Sequence, residues 1–516
     1  MTSDSKSKII LTLQQRREID AAIQDMRHAS SEADLEQRAL EIASHGDAVI
    51  RSLIAHLDTD NATIRGGLGR LARHLDQDKV IPALEAAAMD RQCSDRARLT
   101  AITILERFLS RELDGHFFEG LRRPEDVALE SLREALDAAE ENQFVLLEYT
   151  RQLSEQPIEV GLATIAMTTR LPPERTVELL RLLAQEPRRE IARAALQALG
   201  SARTARAVVA LQGLLVTLPP DLRPLAERSL RKLQFSGVPV ADLPQPDEGW
   251  RALVSPIDRE GTQTLWFIHS QEDAAHSRFL GLLLDDRQGL RAAFGDEKTP
   301  TAQLPTLRAV GTVHQLPMLQ GGPVLLLLEA SFDYGRQLVR QALQHNFANQ
   351  SLTPPEYRLL NPYLWEWAPP DETFLPPEPP NVPIGEAELD AQMRRLIARS
   401  PCQRWFLESE QVYDTAMDLL RQGANDLVHP LALAAVSRLL TAHFDEDTIA
   451  LYYHRLLAMA TWLKLAGESE LAKLAALAAA TLSTPTEKPH PFLWHLTATG
   501  LAVALAVLQT AGTTAG

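Results

Sequence analysis

Residues 186–200 read as a turn, one short helix and a stop. Pro187 suits a first helical turn, where its missing N–H would go unpaired anyway. Ile191, Ala194, Ala195, Ala198 and Leu199 recur at helical spacing and make one apolar stripe. Gly200 predicts a closing residue in the left-handed conformation. A helix this short cannot hide its stripe alone. The chain that carries it has to supply neighbours of the same kind.

Those neighbours are present. Residues 221–233 place Leu225, Leu230 and Leu233 where Ile191, Leu196 and Leu199 stand, at a constant offset (225 − 191 = 34 residues). Upstream, Ser30 or Ser31 can cap a helix with Leu35, Ala39 and Ile42 on one face, which His45-Gly46-Asp47 breaks. Val49, Ile50, Leu53, Ile54 and Leu57 form the next stripe, and residues 58–61 are a polar turn. Ile64, Leu68, Leu71 and Leu75 make the helix that follows, and Leu99 repeats Ile64 after 99 − 64 = 35 residues. A fixed period of this size marks stacked two-helix units.

The residues Asp58, Asp60, Ile64, Arg65, Leu68 and Leu71, and again Pro187, Ile191, Arg193, Ala195 and Leu199, resemble HEAT repeats. The arginine after the branched residue stands as Arg65 in one copy and is Ala192 in the other. The resemblance covers about residues 30–240 and implies a HEAT-like α-solenoid. In such arrays the second helices line the concave face. Here they carry Arg65, Arg70 and Arg73, then Arg189 and Arg193, then Arg228, Arg231 and Lys232. The resemblance therefore implies an arginine-lined inner surface. Its bland alternative is a solvated face of weak ion pairs with residues such as Glu190 and Glu227.

Texture changes after residue 235. A proline-punctuated connector at 238–247 leads into short runs at 250–254, 263–269 and 278–284, separated by polar turns at 258–261 and 271–273. These predict strands of a hairpin or meander. Asp285 to Gly289 ends the third strand, residues 321–323 are a turn, and 324–329 is an apolar run of either type. Residues 333–350 predict a helix with Asp333 as its cap and Leu338, Ala342, Leu343 and Phe347 on one face. The expected organisation is a repeat domain over 1–240, an α+β module with a short antiparallel sheet over 248–367, a proline-rich linker over 368–383, and a C-terminal helical domain over 384–510. A turn at 463–472 gives that last domain a tetratricopeptide-like look. The fold class is mainly α.

Chemistry is sparse. Cys93 and Cys402 are too far apart in sequence to form a zinc spacing or a disulfide framework, and they suit buried structural thiols in a reducing compartment. Gly66, Gly67 and Gly69 lie inside a predicted helix, so they mark close helix approach rather than a phosphate cradle. His443, the acidic run 445–447 and His454 are the best metal candidate, but a helix cap explains the run without metal. Asp285, Asp286 and Asp333 fit turn and cap chemistry. Catalytic, cofactor-binding and metal residues are each expected to be none.

Residues 1–240 carry 32 basic and 36 acidic side chains, a net of −4, whereas 241–516 carry 20 and 32, a net of −12. This balance argues against a nucleic-acid or anionic-membrane binder. The polar N-terminus lacks the apolar core of a signal peptide, which predicts a cytoplasmic address. Residues 492–508 hold no Asp, Glu, Lys or Arg, and read as a buried last helix or, alternatively, a tail anchor. The expected function is a non-enzymatic scaffold or adaptor whose arginine-lined groove takes an acidic protein segment. The alternatives are an enzyme with a site in the 248–367 module, walled by Trp266, Phe267, Tyr334, Trp365 and Trp367, or nucleic-acid binding through the arginines.

Overall fold

Capped short helices set the pattern of the first half. A computed structural model describes residues 3–118, 124–270, 275–317, 324–370, 373–379, 384–482 and 489–514. The turns predicted at 271–273 and 321–323, and prolines 380 and 383 of the predicted linker, lie outside them. The described chain is mainly helical, with one six-stranded antiparallel sheet. Its contacts divide it into two units: residues 1–245 with 354–368, and residues 246–353 with 369–516.

The first unit begins with α1 (Ser3–Asp25), α2 (Glu32–Ala43), α3 (Ala48–Ala55), α4 (Ala62–Arg73), α5 (Gln77–Met89) and α6 (Asp95–Thr103). Side chains of Ser31, Asn61, Asp76 and Ser94 accept hydrogen bonds from first-turn N–H groups of α2, α4, α5 and α6. Gly46, at φ +65°, makes the predicted break after α2. Then come α7 (Pro124–Ala139), α8 (Phe144–Ser154), α9 (Ile158–Thr168), α10 (Pro173–Leu183), α11 (Arg189–Leu199), α12 (Ala205–Thr217) and α13 (Arg223–Phe235). Alternate helices lie side by side: α9 on α11 and α11 on α13, with α8 on α10 and α10 on α12. Ile191, Ala195, Leu196 and Leu199 are fully buried between them.

Gly200 departs from expectation. Its φ is −64°, so no left-handed residue closes α11 there. A side chain at Gly200 would run into Ser229 of α13. The glycine serves close approach between helices rather than a turn.

The second unit opens with β1 (Trp250–Val254), β2 (Thr262–His269), β3 (His276–Asp285), β4 (Gly289–Pro300), β5 (Val313–Leu316) and β6 (Leu325–Ala330), in the order β4-β3-β2-β1-β6-β5. Leu253 sits opposite Trp266 on β2 and opposite Glu329 on β6. One face buries Leu253, Ile268, Phe279 and Leu327. Helix α14 (Phe332–Ala348) packs against the sheet. Its cap is Ser331, whose Oγ accepts from the Tyr334 N–H. Asp333 was the expected cap; it instead accepts from Arg336 Nη1 at 3.0 Å.

Two short helices, α15 (Pro355–Leu360) and α16 (Pro362–Trp365), belong with the first unit. Buried Arg181 of α10 holds them: Nη2 donates to Leu359 O at 2.8 Å, and Nη1 donates to Arg358 O at 2.6 Å and to Asn361 Oδ1 at 2.9 Å. Trp365 and Trp367 are therefore not part of the unit that holds the sheet.

The second unit continues with α17 (Glu386–Ile397), α18 (Glu410–Arg421), α19 (Pro430–His443), α20 (Glu446–Leu465), α21 (Ser469–Leu482) and α22 (Pro491–Thr514). α20 and α21 pair across a turn in which Gly467 has φ +80°. α22 packs on α17, α18 and α19, burying Leu501, Ala504 and Leu505. Over Pro491–Thr510 it is long and apolar enough to cross a membrane by length and composition, the one such helix among the described residues, and 44% of its apolar window is buried.

His490 caps α22. The Phe492 N–H donates to Nδ1 at 3.2 Å, and Nε2 lies 2.9 Å from Thr481 Oγ1. Nδ1 must be neutral to accept, and burial holds the imidazole down at about 4. The folded pKa lies below the unfolded value of about 6.5, so stability is full above the latter and falls as pH drops from there towards the former. Hydrogen exchange at the start of α22, corrected for intrinsic rates, is expected to speed up between pH 7 and pH 4.5. His490→Asn, which keeps a capping acceptor, is expected to abolish that pH dependence.

Candidate functional site

The seven predicted arginines do not share one surface role. Arg70 is buried; it donates through Nη1 and Nη2 to Glu148 Oε1 and Oε2 at 3.1 Å each, and to Glu32 at 3.0 Å. Arg65 is mostly buried, donating to Ser131 Oγ at 3.0 Å and facing Glu134 at 3.4 Å. Burial pulls its pKa below the usual arginine value, against the opposing pull of Glu134. Both bind the helices of the first unit together and offer nothing to a partner.

Arg73 is exposed and pairs with Glu36 at 3.2 Å. Arg189 ties α11 to the turn before α13 through Asp221 at 3.3 Å, and Arg231 stands 3.9 Å from Glu227. Arg193 and Arg228 are exposed, and among the described residues neither has a carboxylate within ion-pair distance. Arg228 Nε donates only to Pro224 O, at 3.3 Å. Lys232 joins this end of the surface, donating to Ser201 Oγ at 2.7 Å. Of the predicted cations, those without an internal carboxylate thus lie on α11 and α13.

The aromatic wall expected in the 248–367 module does not assemble. Trp266 and Phe267 are consecutive on β2 and point to opposite faces. The second unit instead has a cavity of about 850 Å³. It lies between α14, α20, the ends of β2 and β3, and the segment 373–376, with Tyr334 and Gln337 on one side and Leu451 and His454 on another. A volume of this order suits a small ligand or part of a chain.

Its charged members are partly spent. Arg455 Nε and Nη2 donate to Asp286 at 2.6 and 3.1 Å, while Nη1 and Nη2 donate to the carbonyls of Arg259 and Glu260 at 2.6 and 2.8 Å. This guanidinium staples α20 to two hairpin turns. Asp285 Oδ1 accepts from the N–H groups of Arg287 and Gln288, the turn role its position predicts.

Asp445 caps α20 by accepting from the Thr448 N–H at 2.8 Å, so the acidic run beside His443 is a helix start. His443 Nε2 meets Ser409 Oγ at 3.2 Å. Among the described residues no group of three His, Cys, Asp or Glu is placed to hold a metal. Cys402 is buried, and burial pushes its thiol up to about 12; Cys93 is half-buried, raised by burial and by neighbouring Asp90. Neither is activated as a nucleophile.

Sequence reasoning passed over two buried charge clusters, Glu148 with Arg70 and Arg151, and Glu329 with Arg251 and His314. The available signal for the first was a helix with glycines on several sides. Comparison of the chain with protein-family models, with curated proteins and with solved structures gave no match.

Proposed function

We propose that the first unit is a HEAT-like α-solenoid and that the protein is a non-enzymatic scaffold binding an acidic protein segment. The observation that supports this is the alternation of neighbours, α9–α11–α13 on one side and α8–α10–α12 on the other. Such layering gives a continuous row of second helices, the surface that repeat arrays use for partners. The binding residues are narrowed to Arg193, Arg228 and, beside them, Arg189 and Arg231. Arg193 and Arg228 carry the reading, because a partner's carboxylates can bond them without first displacing an internal one.

The probe is a fluorescein-labelled peptide of glutamates interrupted by leucines, followed by anisotropy with the full chain. Binding is expected to weaken as salt rises. The double reversal Arg193→Glu with Arg228→Glu is expected to weaken it by roughly tenfold or more, the worth of a single charge-assisted contact. Equal binding by wild type and the reversed chain would sink the groove.

A further inference from the structure

We propose that the groove between α14 and α20 docks an extended, proline-containing peptide, and that the chain's own Phe374-Leu375-Pro376 is held along it in cis, forming one wall of the cavity that remains. The inference is independent of the reading of the first unit, since every residue it uses lies in the second.

The manner in which the segment is held carries the inference. Gln337 Nε2 donates to Phe374 O at 2.9 Å, and Gln337 Oε1 accepts from the Phe374 N–H at 2.9 Å. One side-chain amide thus reads both backbone groups of one residue, as a neighbouring strand would. That pairing recognises extended backbone of any sequence. Selectivity comes from the ring of Phe374, which stands edge-on to buried Tyr334 at 5.2 Å and 65°. Lys464 Nζ adds a bond to Leu375 O at 3.3 Å. Pro376, Pro377 and Pro379 keep the backbone extended, so little entropy is lost on docking.

Two observations make the occupant replaceable. The segment has no regular hydrogen-bonded structure, and Leu375 is 63% exposed. Space also remains beside it, lined by Gln341, Gln344, His345 and His454. Amides and imidazoles both donate and accept, as a peptide backbone requires. A peptide longer than the resident segment gains contacts that the resident lacks. The resident gains only its tether, which acts as a local concentration in the millimolar range.

The test uses the full chain and a fluorescein-labelled peptide with the sequence of residues 373–379. Phe374→Ala in the chain weakens the resident and leaves Gln337 and Tyr334 in place. It is expected to bind the labelled peptide roughly tenfold or more tightly than wild type. Adding Gln337→Ala is expected to remove that gain, and a peptide with alanine in place of phenylalanine is expected not to bind. Pro376→Gly, within the resident segment, frees its backbone without touching the groove and is expected to give a smaller gain in the same direction. It keeps the question answerable if the Phe374→Ala chain fails to fold. Peptide binding unchanged in both loosened chains, or insensitive to Gln337→Ala, overturns the proposal. Arg193→Glu with Arg228→Glu should leave this binding as it is.

Discussion

Glu148→Ala is expected to destabilise the first unit by about 3–5 kcal/mol, the usual cost of removing one partner from a buried charge cluster. The Glu148 side chain is fully buried on α8. It accepts from Arg70 Nη1 and Nη2 at 3.1 Å each, from Arg151 Nε at 3.0 Å and Nη2 at 2.8 Å, and from Gln152 Nε2 at 2.8 Å. Truncation leaves Arg70, itself buried on α4, with the Gly66 carbonyl and the partly exposed carboxylates of Glu32 and Glu36 of α2. Gly66 of α4 lies against the carboxylate with no room for a side chain, so truncating Glu148 also opens a gap where the two helices meet. Glu155→Ala, about two turns on at the C-cap of the same helix, removes the exposed pair with Arg151 and should cost less than about 1 kcal/mol. Segment-resolved hydrogen exchange alongside urea unfolding checks both, with the loss of protection expected in α4 and α8. Equal behaviour of the two variants would show that the cluster contributes nothing.

The same carboxylate gives a pH dependence. Burial alone would raise its pKa, but the hydrogen bond and charge of Arg151, with Arg70 beside it, outweigh that and hold it below the ordinary value. The folded pKa is thus depressed relative to about 4.3 in the unfolded chain. Its stabilisation is present above that unfolded value and is lost as pH falls through the folded one. Acid unfolding of Glu148→Gln should be flatter below pH 4.3 than that of wild type.

Local periodicity was enough to find most of the fold, and long-range partners account for what it missed. β1, β2 and β3 were legible because branched and aromatic residues crowd short runs between polar turns. β4 was not: from Arg291 onward its residues are largely solvent-facing, and charges such as Asp296, Glu297 and Lys298 read as loop. β5 has only four residues. The arginines show the limit most clearly. Arg65, Arg70 and Arg73 look alike along α4, yet α4 is surrounded by α2, α7 and α8, so nearly every side is inside. Three glycines in that helix already said that neighbours press on several faces. The consequence for Arg70, that an arginine on such a helix needs an internal carboxylate, required knowing where Glu148 lies. The segment 373–376 was legible as extended from its prolines, but its hold on Gln337 was not, since the two are 37 residues apart.

In the second unit, Glu329→Ala is expected to cost about 3–5 kcal/mol as well, for a reason that a further variant separates from simple packing. Glu329 on β6 is 1% exposed. Both its oxygens accept from Arg251 Nη1 at 3.1 Å, and Oε2 lies 2.6 Å from His314 Nε2 on β5. The period of two places Arg251 on the same face as Leu253, which opposes Glu329. His314 opposes Leu327 on that same face. An anion, a guanidinium and an imidazole therefore sit beside the apolar cluster of Leu253, Ile268, Phe279 and Leu327. Alanine at 329 leaves the buried guanidinium of Arg251 without a counter-ion, with only the Pro305 carbonyl accepting from its Nη2, and that uncompensated desolvation is the dominant cost. Replacing the three together, as Arg251→Met, His314→Phe and Glu329→Leu, removes every charge and keeps volume. That chain is expected to match wild type or exceed it by about 1–4 kcal/mol, because paired ions in an apolar setting seldom repay their own desolvation. If the triple variant instead falls as far as Glu329→Ala, the cluster is holding β5 to β6 through its geometry rather than merely tolerating buried charge. Exchange protection of the β5 and β6 amides, measured on the same two chains, reports which of these holds.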